Sequence, residues 1–464
     1  MTTKRAPLRL FGTSGIRGFV NRTMTPDFAA KMGLCFAHYI GRQGKVAVGM
    51  DVRLHAHVVQ GAVVSGLNAG GVDVVDCGIA PTPAVLHLLK RQKLDGAVLV
   101  TGSHTLAPVI GLLFFQSDGG EISVRTEEKL EALYFRGSLS PNPWNRLGRA
   151  RPADALGAYY EGVAKAVGRT GVEGRRVVID PGNGAASGIL TPLFERLGCH
   201  VVAVNDVADG RFPSRSPYPR REVLGKLKRE VREASADLGV ATDGDGDRAI
   251  FVDERGKVAW GDVTGSLFAL DCLERVNGGT IVAPVNSSRL VRDICRGRGR
   301  LVTTRVGPPA IIDALRSHPG AVFGFEETGK YIWPDALLYG DVALSTFKML
   351  DLMERKGKTL RELASSLPRY HMIKRAFRCT ESSKEPISAH ILGLPVDPRV
   401  QVVTLDGVKL VYPDRSWLLL RPSGTEPFFR CYAEAKSAKK AQELAKEGIK
   451  TLREASAAVR LAPR

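Results

Sequence analysis

The chain has 464 residues, of which 44% are hydrophobic and 25% charged, and it carries a net charge of +18. At about 100–200 residues per domain that length calls for three or four domains; the composition excludes long disorder, no apolar run reaches the ~18–20 residues of a bilayer span, and no apolar secretory core follows the first residues. The positive charge is spread along the chain without an aromatic RNA-binding motif or zinc finger, so it predicts a field that draws in small anionic substrates rather than a nucleic-acid surface.

Several segments repeat one rhythm, a short apolar β-rich run, a glycine turn and then a helical pattern. Residues 45–49 precede a helix over 56–69, and 73–75 precede one over 83–90. Residues 176–180 lead through Pro181-Gly-Asn-Gly to a helix ending near 197, and 281–285 precede a helix from about 288. Alternation of this kind predicts α/β layers on mixed or parallel sheets. The runs 96–100 and 238–241 are apolar throughout, as strands covered on both faces are. The Pro-rich stretch 138–152 could link a first domain to a second, and 253–257 (DERGK) reads as a hairpin turn near a second boundary. Beyond about 370 the texture changes to shorter strands and a last helix over 438–458, an α+β pattern. Seven cysteines, none in CxxC spacing, suit free thiols in a reducing cytosol, so a cytoplasmic protein is expected.

Four loops carry chemistry. Thr101-Gly-Ser-His-Thr follows the run 96–100; a strand-end serine in a glycine turn can be a nucleophile, although such serines also merely cap turns. Asp243-Gly-Asp-Gly-Asp-Arg248 follows the run 238–241. Three carboxylates at alternate positions can close on one hard cation, Mg²⁺ or Ca²⁺. An EF-hand is excluded because its sixth position, which must be glycine, is Arg248. Gly324-Phe-Glu-Glu-Thr-Gly-Lys330 offers an acceptor, Glu326, and a donor, Thr328, to vicinal sugar hydroxyls, with Lys330 as a mobile cation. Arg421-Pro-Ser-Gly-Thr-Glu-Pro, with Arg430 beyond it, combines guanidinium forks with hydroxyls and backbone N–H groups suited to phosphate. Gly182-Asn-Gly184 is a decoy: the third glycine of a dinucleotide fingerprint falls one position late, at Gly188.

Together and in this order, these loops resemble those of the α-D-phosphohexomutases, and Phe11-Gly-Thr-Ser-Gly-Ile-Arg-Gly18 is similar to that family's opening motif. The resemblance implies four domains around a central cleft, three similar mixed-sheet α/β domains and a C-terminal α+β domain, here 1–150, 151–255, 256–370 and 371–464. It implies an isomerase that interconverts hexose 1-phosphate and hexose 6-phosphate, of glucose and/or mannose, through a phosphoserine and a hexose 1,6-bisphosphate. It also implies Ser103 as the phosphoserine, with its phosphate and Asp243, Asp245 and Asp247 holding Mg²⁺. Arg17 and Arg248 would contact the moving phosphoryl group. Gly307, Glu326 and Thr328 would face the sugar, and Arg421, Ser423, Gly424, Thr425 and Arg430 would grip the other phosphate.

The sequence departs from the family pattern at several points. The family lysine after the serine loop falls on Leu113, which cannot transfer a proton; Thr328 stands for a serine and Lys330 for a histidine. Lys330 or His104 is therefore expected to handle the proton. A phosphoglucosamine mutase is the alternative within the family. A metal-dependent phosphatase or a non-catalytic sugar-phosphate binder are alternatives outside that activity.

Overall fold

The computed structural model describes residues 9–137, 139–167, 172–424 and 426–461. Among these residues four sheets form, and the first three contain the β-rich runs of the sequence rhythm, to which the first adds Ile16–Phe19. The first has the strand order Ile16–Phe19, Val109–Gln116, Gly96–Thr101, Lys45–Met50, Asp73–Ile79 and Ala150–Pro152. Its centre is parallel, while the two strands at the Ile16 side run antiparallel. The stretch read as a linker thus contributes an edge strand, Ala150–Pro152, paired with 74–76.

The second sheet is ordered Val258–Ala259, Ile250–Val252, Leu238–Ala241, Arg176–Asp180 and His200–Ala203; Asp253–Lys257 forms its hairpin turn. The third is Arg300–Thr304, Thr280–Pro284, Ala321–Glu326 and Lys330–Ile332. The fourth is wholly antiparallel, from His371–Arg378 to Gln401–Val403, and is covered by the helix Ala438–Leu461. The architecture is α/β in the first three units and α+β in the last, as expected.

One apolar core runs through the first three units. Leu86 and Phe115 of the first, Phe194 and Phe251 of the second, and Phe268, Phe323 and Phe347 of the third belong to a single cluster. Side chains in such a close-packed interior cannot slide freely, so the loops of these three units are fixed relative to one another. The fourth unit has its own core around Leu418, Cys431 and Leu452. It meets the third through a small apolar contact, Trp417 and Leu419 against Val285.

Candidate active site

Ser103 stands just past the strand Gly96–Thr101 with φ of +48°, a left-handed conformation that costs a non-glycine residue energy. Its surroundings impose that conformation. The Ser103 N–H donates to Thr101 Oγ1 at 2.7 Å, and Arg53 Nη2 donates to the Ser103 carbonyl at 3.2 Å and to that of Thr105 at 2.7 Å. Arg53 in turn binds Asp51 through Nε at 3.0 Å, both side chains being wholly buried. Asp51 also accepts from the Gly102 N–H at 2.9 Å. Neither Asp51 nor Arg53 stood out in the sequence. The signal was a carboxylate one residue past the apolar strand Lys45–Met50, at the same sheet edge as the serine.

The Asp243–Arg248 loop packs directly on this serine. A Cβ on Gly244 would lie 2.4 Å from the Ser103 carbonyl oxygen, so only glycine permits the approach. Ser103 Oγ donates to Asp243 Oδ2 at 2.8 Å. Oxygens of Asp243, Asp245 and Asp247 lie within 4.8 Å of one another. Oδ1 of each is buried without a hydrogen-bond partner among the described residues. Unpartnered buried carboxylate oxygens are costly, and a hard divalent cation removes that cost with the donor type it prefers. The three residues fit such an ion. Burial raises the pKa of Asp243, and Asp247 beside it raises it further; Asp245 is pushed well up by the same two causes.

Arg248 Nε lies 3.5 Å from Asp243 Oδ2, and its Nη2 donates to His104 Nδ1 at 3.0 Å. A guanidinium can only donate, so His104 Nδ1 is the acceptor and the neutral ring carries its proton on Nε2. The ring is neutral because burial, then Arg248, Arg17, Lys330 and Arg53, hold its pKa well below the ordinary value. Its Nδ1 is 3.3 Å from Ser103 Oγ, and the ring packs on Tyr218 at 5.2 Å. Arg17 reaches the site from the neighbouring antiparallel strand, opposite Gly111, which itself faces Thr101. Its Nε is buried without a partner among the described residues. Leu113 is 1% exposed in the core and supplies no proton.

The sugar loop is a tight hairpin. Glu326 pairs with Lys330 across it, and Gly329 takes φ of +91°. Glu326 is 8% exposed; its carbonyl accepts from the Gly329 N–H at 3.1 Å, its carboxylate makes no hydrogen bond with a described residue, and burial raises its pKa. Thr328 Oγ1 is buried and unpartnered among the described residues. The expectation of a mobile Lys330 is corrected. Its side chain is 3% exposed and Nζ lies 2.8 Å from Asp247 Oδ2 and 3.9 Å from the centre of the Tyr339 ring.

The fourth loop meets the first unit at Thr13. A Cβ on Gly307 would lie 2.6 Å from the Thr13 carbonyl, and one on Gly424 would lie 2.8 Å from Thr13 Oγ1. The N-terminal motif, the Gly307 loop and the Arg421 loop therefore converge. Arg421 is buried and Ser423 6% exposed, while Arg430 pairs with Glu426. Thr425 lies outside the described residues.

The serine loop, the carboxylate triad and the sugar hairpin are thus in direct contact, and the Gly307 and Arg421 loops meet the first unit at Thr13. Family profiles match in the same order: phosphoglucomutase/phosphomannomutase α/β/α domains I, II and III at residues 8–140, 157–256 and 260–370, and the C-terminal domain at 377–450. The chain is 38% identical to a phosphoglucomutase/phosphomannomutase of Thermococcus kodakarensis, over 96% of this chain and 99% of that one. It is 34% identical to a phosphoglucosamine/phosphogalactosamine mutase of Sulfurisphaera tokodaii, over 95% and 98%. A crystal structure of a phosphoglucomutase/phosphomannomutase family protein from Burkholderia thailandensis superposes with a TM-score of 0.83 at 28% identity, covering 98% of each chain. The chain belongs to the phosphoglucomutase/phosphomannomutase family, the α-D-phosphohexomutases. It is an isomerase of that family, a phosphohexomutase.

Proposed function

We propose that the chain interconverts the 1- and 6-phosphates of glucose and/or mannose through a phosphorylated Ser103 and a bound hexose 1,6-bisphosphate. One observation carries this reading: Ser103 Oγ lies 2.8 Å from Asp243 beside three carboxylate oxygens that have no hydrogen-bond partner among the described residues, and the same chain carries a separate arginine loop in its fourth unit. A mutase must hold two phosphates, one moving and one gripped, and a phosphatase needs only the first.

Asp243, Asp245 and Asp247 would hold Mg²⁺, which supplies charge neutralisation for the phosphoryl group. Arg248, which donates to His104, and Arg17, whose charge acts on the same ring, would stabilise charge developing on the same group. The bond from phosphorus to Ser103 Oγ breaks, the bond to the free 1- or 6-hydroxyl forms, and that hydroxyl gives up its proton while Oγ takes one. His104 suits the proton better than Lys330, whose ammonium is engaged on Asp247. A phosphorylated Ser103 would set a dianion against the cations that depress His104, making the ring more basic. Glu326 and Thr328 would hold sugar hydroxyls, and Gly307 would let its loop approach the sugar. Arg421, Ser423, Gly424, Thr425 and Arg430 would grip the second phosphate. The bisphosphate then turns over so that the gripped phosphate becomes the one returned to Ser103. The chemistry needs no membrane or nucleic acid; no described helix is long and apolar enough to cross a bilayer, and a cytoplasmic enzyme is the reading that fits.

The test supplies the 1-phosphates of glucose, mannose and glucosamine with Mg²⁺ and a catalytic amount of glucose 1,6-bisphosphate. Glucose and mannose phosphates are expected to react, and Ser103→Ala is expected to abolish turnover and to remove one phosphoryl group from the intact mass. Preference for glucosamine phosphate would replace the sugar assignment, a reading that the Sulfurisphaera relative's name supports. No turnover of any of the three would end the mutase reading.

A further inference from the structure

Asp406 belongs to the turn between the strands Gln401–Val403 and Val408–Val411, in no chemistry-bearing motif. Its side chain is 9% exposed and makes two contacts of different kinds. Oδ2 accepts from Arg421 Nε at 2.7 Å and from the backbone N–H of Val306 at 2.9 Å. The first partner is the leading residue of the phosphate loop in the fourth unit. The second belongs to the third unit and immediately precedes Gly307.

The turn is built to make this placement. Gly407 has φ of +84°, and a Cβ there would stand 2.4 Å from the Leu420 carbonyl and 2.8 Å from the Arg421 Cα. Only glycine lets the turn fold this closely over the strand Trp417–Pro422, and the result sets the Asp406 carboxylate against the Arg421 guanidinium. Holding that group by Nε leaves Nη1 and Nη2 with no hydrogen bond to another described residue, so both can donate to one phosphate. A guanidinium fixed before binding loses less rotamer freedom when it grips.

We propose that Asp406 is a positioning residue for the phosphate grip. It orients Arg421 and, through Val306, ties that arginine to the Gly307 loop, so the fourth unit presents its phosphate site in register with the sugar side of the cleft. This rests on the reading of Arg421 as a phosphate ligand.

The test uses the full chain carrying Ser103→Ala, so that no phosphoryl transfer intervenes, and titrates glucose 6-phosphate calorimetrically. Arg421→Ala is expected to weaken binding about a hundredfold and Asp406→Ala about tenfold. Asp406→Asn, which keeps an acceptor oxygen, should recover part of the loss. Adding Asp406→Ala to Arg421→Ala should weaken binding little further, because Asp406 acts through Arg421. Mg²⁺ affinity, set in the second unit, should not change. If Arg421→Ala weakens binding and Asp406→Ala does not, the positioning role is overturned while the phosphate grip stands. If the two losses are additive, or Mg²⁺ affinity falls with them, Asp406 merely supports the fold and the proposal is overturned. If Arg421→Ala binds like its parent, the phosphate-grip reading fails and the role of Asp406 with it.

Discussion

Lys330 Nζ lies 2.8 Å from Asp247 Oδ2, so a residue of the sugar hairpin supplies a counter-charge to the carboxylate triad of another unit. Both side chains are almost completely buried, and breaking a buried pair by removing one partner typically costs about 3–5 kcal/mol. Lys330→Met leaves the triad with Arg248 as its nearest compensation. The variant should melt well below the parent in EDTA and should gain more from added Mg²⁺ than the parent does. Equal Mg²⁺-induced shifts in Tm for the two proteins would show that Lys330 does not balance the triad.

Glu121 gives a pH signature. It is fully buried, accepts from Ser14 Oγ at 3.0 and 3.1 Å, and is pushed up to about 7 by burial, with Lys330 and Arg17 opposing the rise. The folded state therefore keeps a proton that the unfolded chain releases above its ordinary value of 4.5. The stabilisation is complete below 4.5 and is lost as pH rises to 7, by up to about 1.4 kcal/mol per pH unit. Glu121→Gln fixes the neutral form, so its stability relative to the parent should rise across that window in urea denaturation. A pH-independent difference would contradict the assignment.

The Asp51–Arg53 pair tests what holds Ser103 in its left-handed turn. Arg53→Met removes three bonds to the carbonyls of Ser103, Thr105 and Leu106 and strands a buried carboxylate. A stability loss of about 3–5 kcal/mol is expected. Adding Asp51→Asn should restore part of the stability without restoring turnover, because the serine loop stays loose. A stable, fully active Arg53→Met protein would rule out this support.

Much of this was legible in the sequence, for physical reasons that also mark where legibility stops. Apolar runs ending in Gly-bearing loops located the serine and the triad, since strand ends expose chemistry at one sheet edge, whereas the sugar loop stood out only by its residue types. The DGDGD spacing exposed the triad because each glycine admits a close backbone approach, as Gly244 does over Ser103. Contacts between units were not legible. Nothing local to Lys330 points to Asp247, 83 positions earlier by residue number, and nothing local to Asp406 points to Arg421 and Val306 together. The strand Ala150–Pro152 was hidden by its proline, which an edge position tolerates, and by Pro141 and Pro143 before it.

Glu327, between the two proposed sugar contacts, offers the last test. Its carboxylate accepts from Trp260 Nε1 at 2.6 Å and pairs with Lys374, on the first strand of the fourth unit. Lys374 lies across from Tyr432, and two residues further along the same ladder Ala376 faces Arg430. The pair therefore joins the sugar hairpin to the phosphate-gripping sheet by a short rigid path. The Lys374 side chain is 37% exposed, so solvent screens the charge and the coupling should be modest, about 0.5–1 kcal/mol in a double-mutant cycle of Glu327→Gln and Lys374→Met. The kinetic effect should appear mainly in KM, because the pair aligns two binding loops and touches neither Ser103 nor the triad. A fall in kcat at unchanged KM would place Glu327 in the chemical step. Strict additivity in KM would mean that the two loops are aligned without this pair.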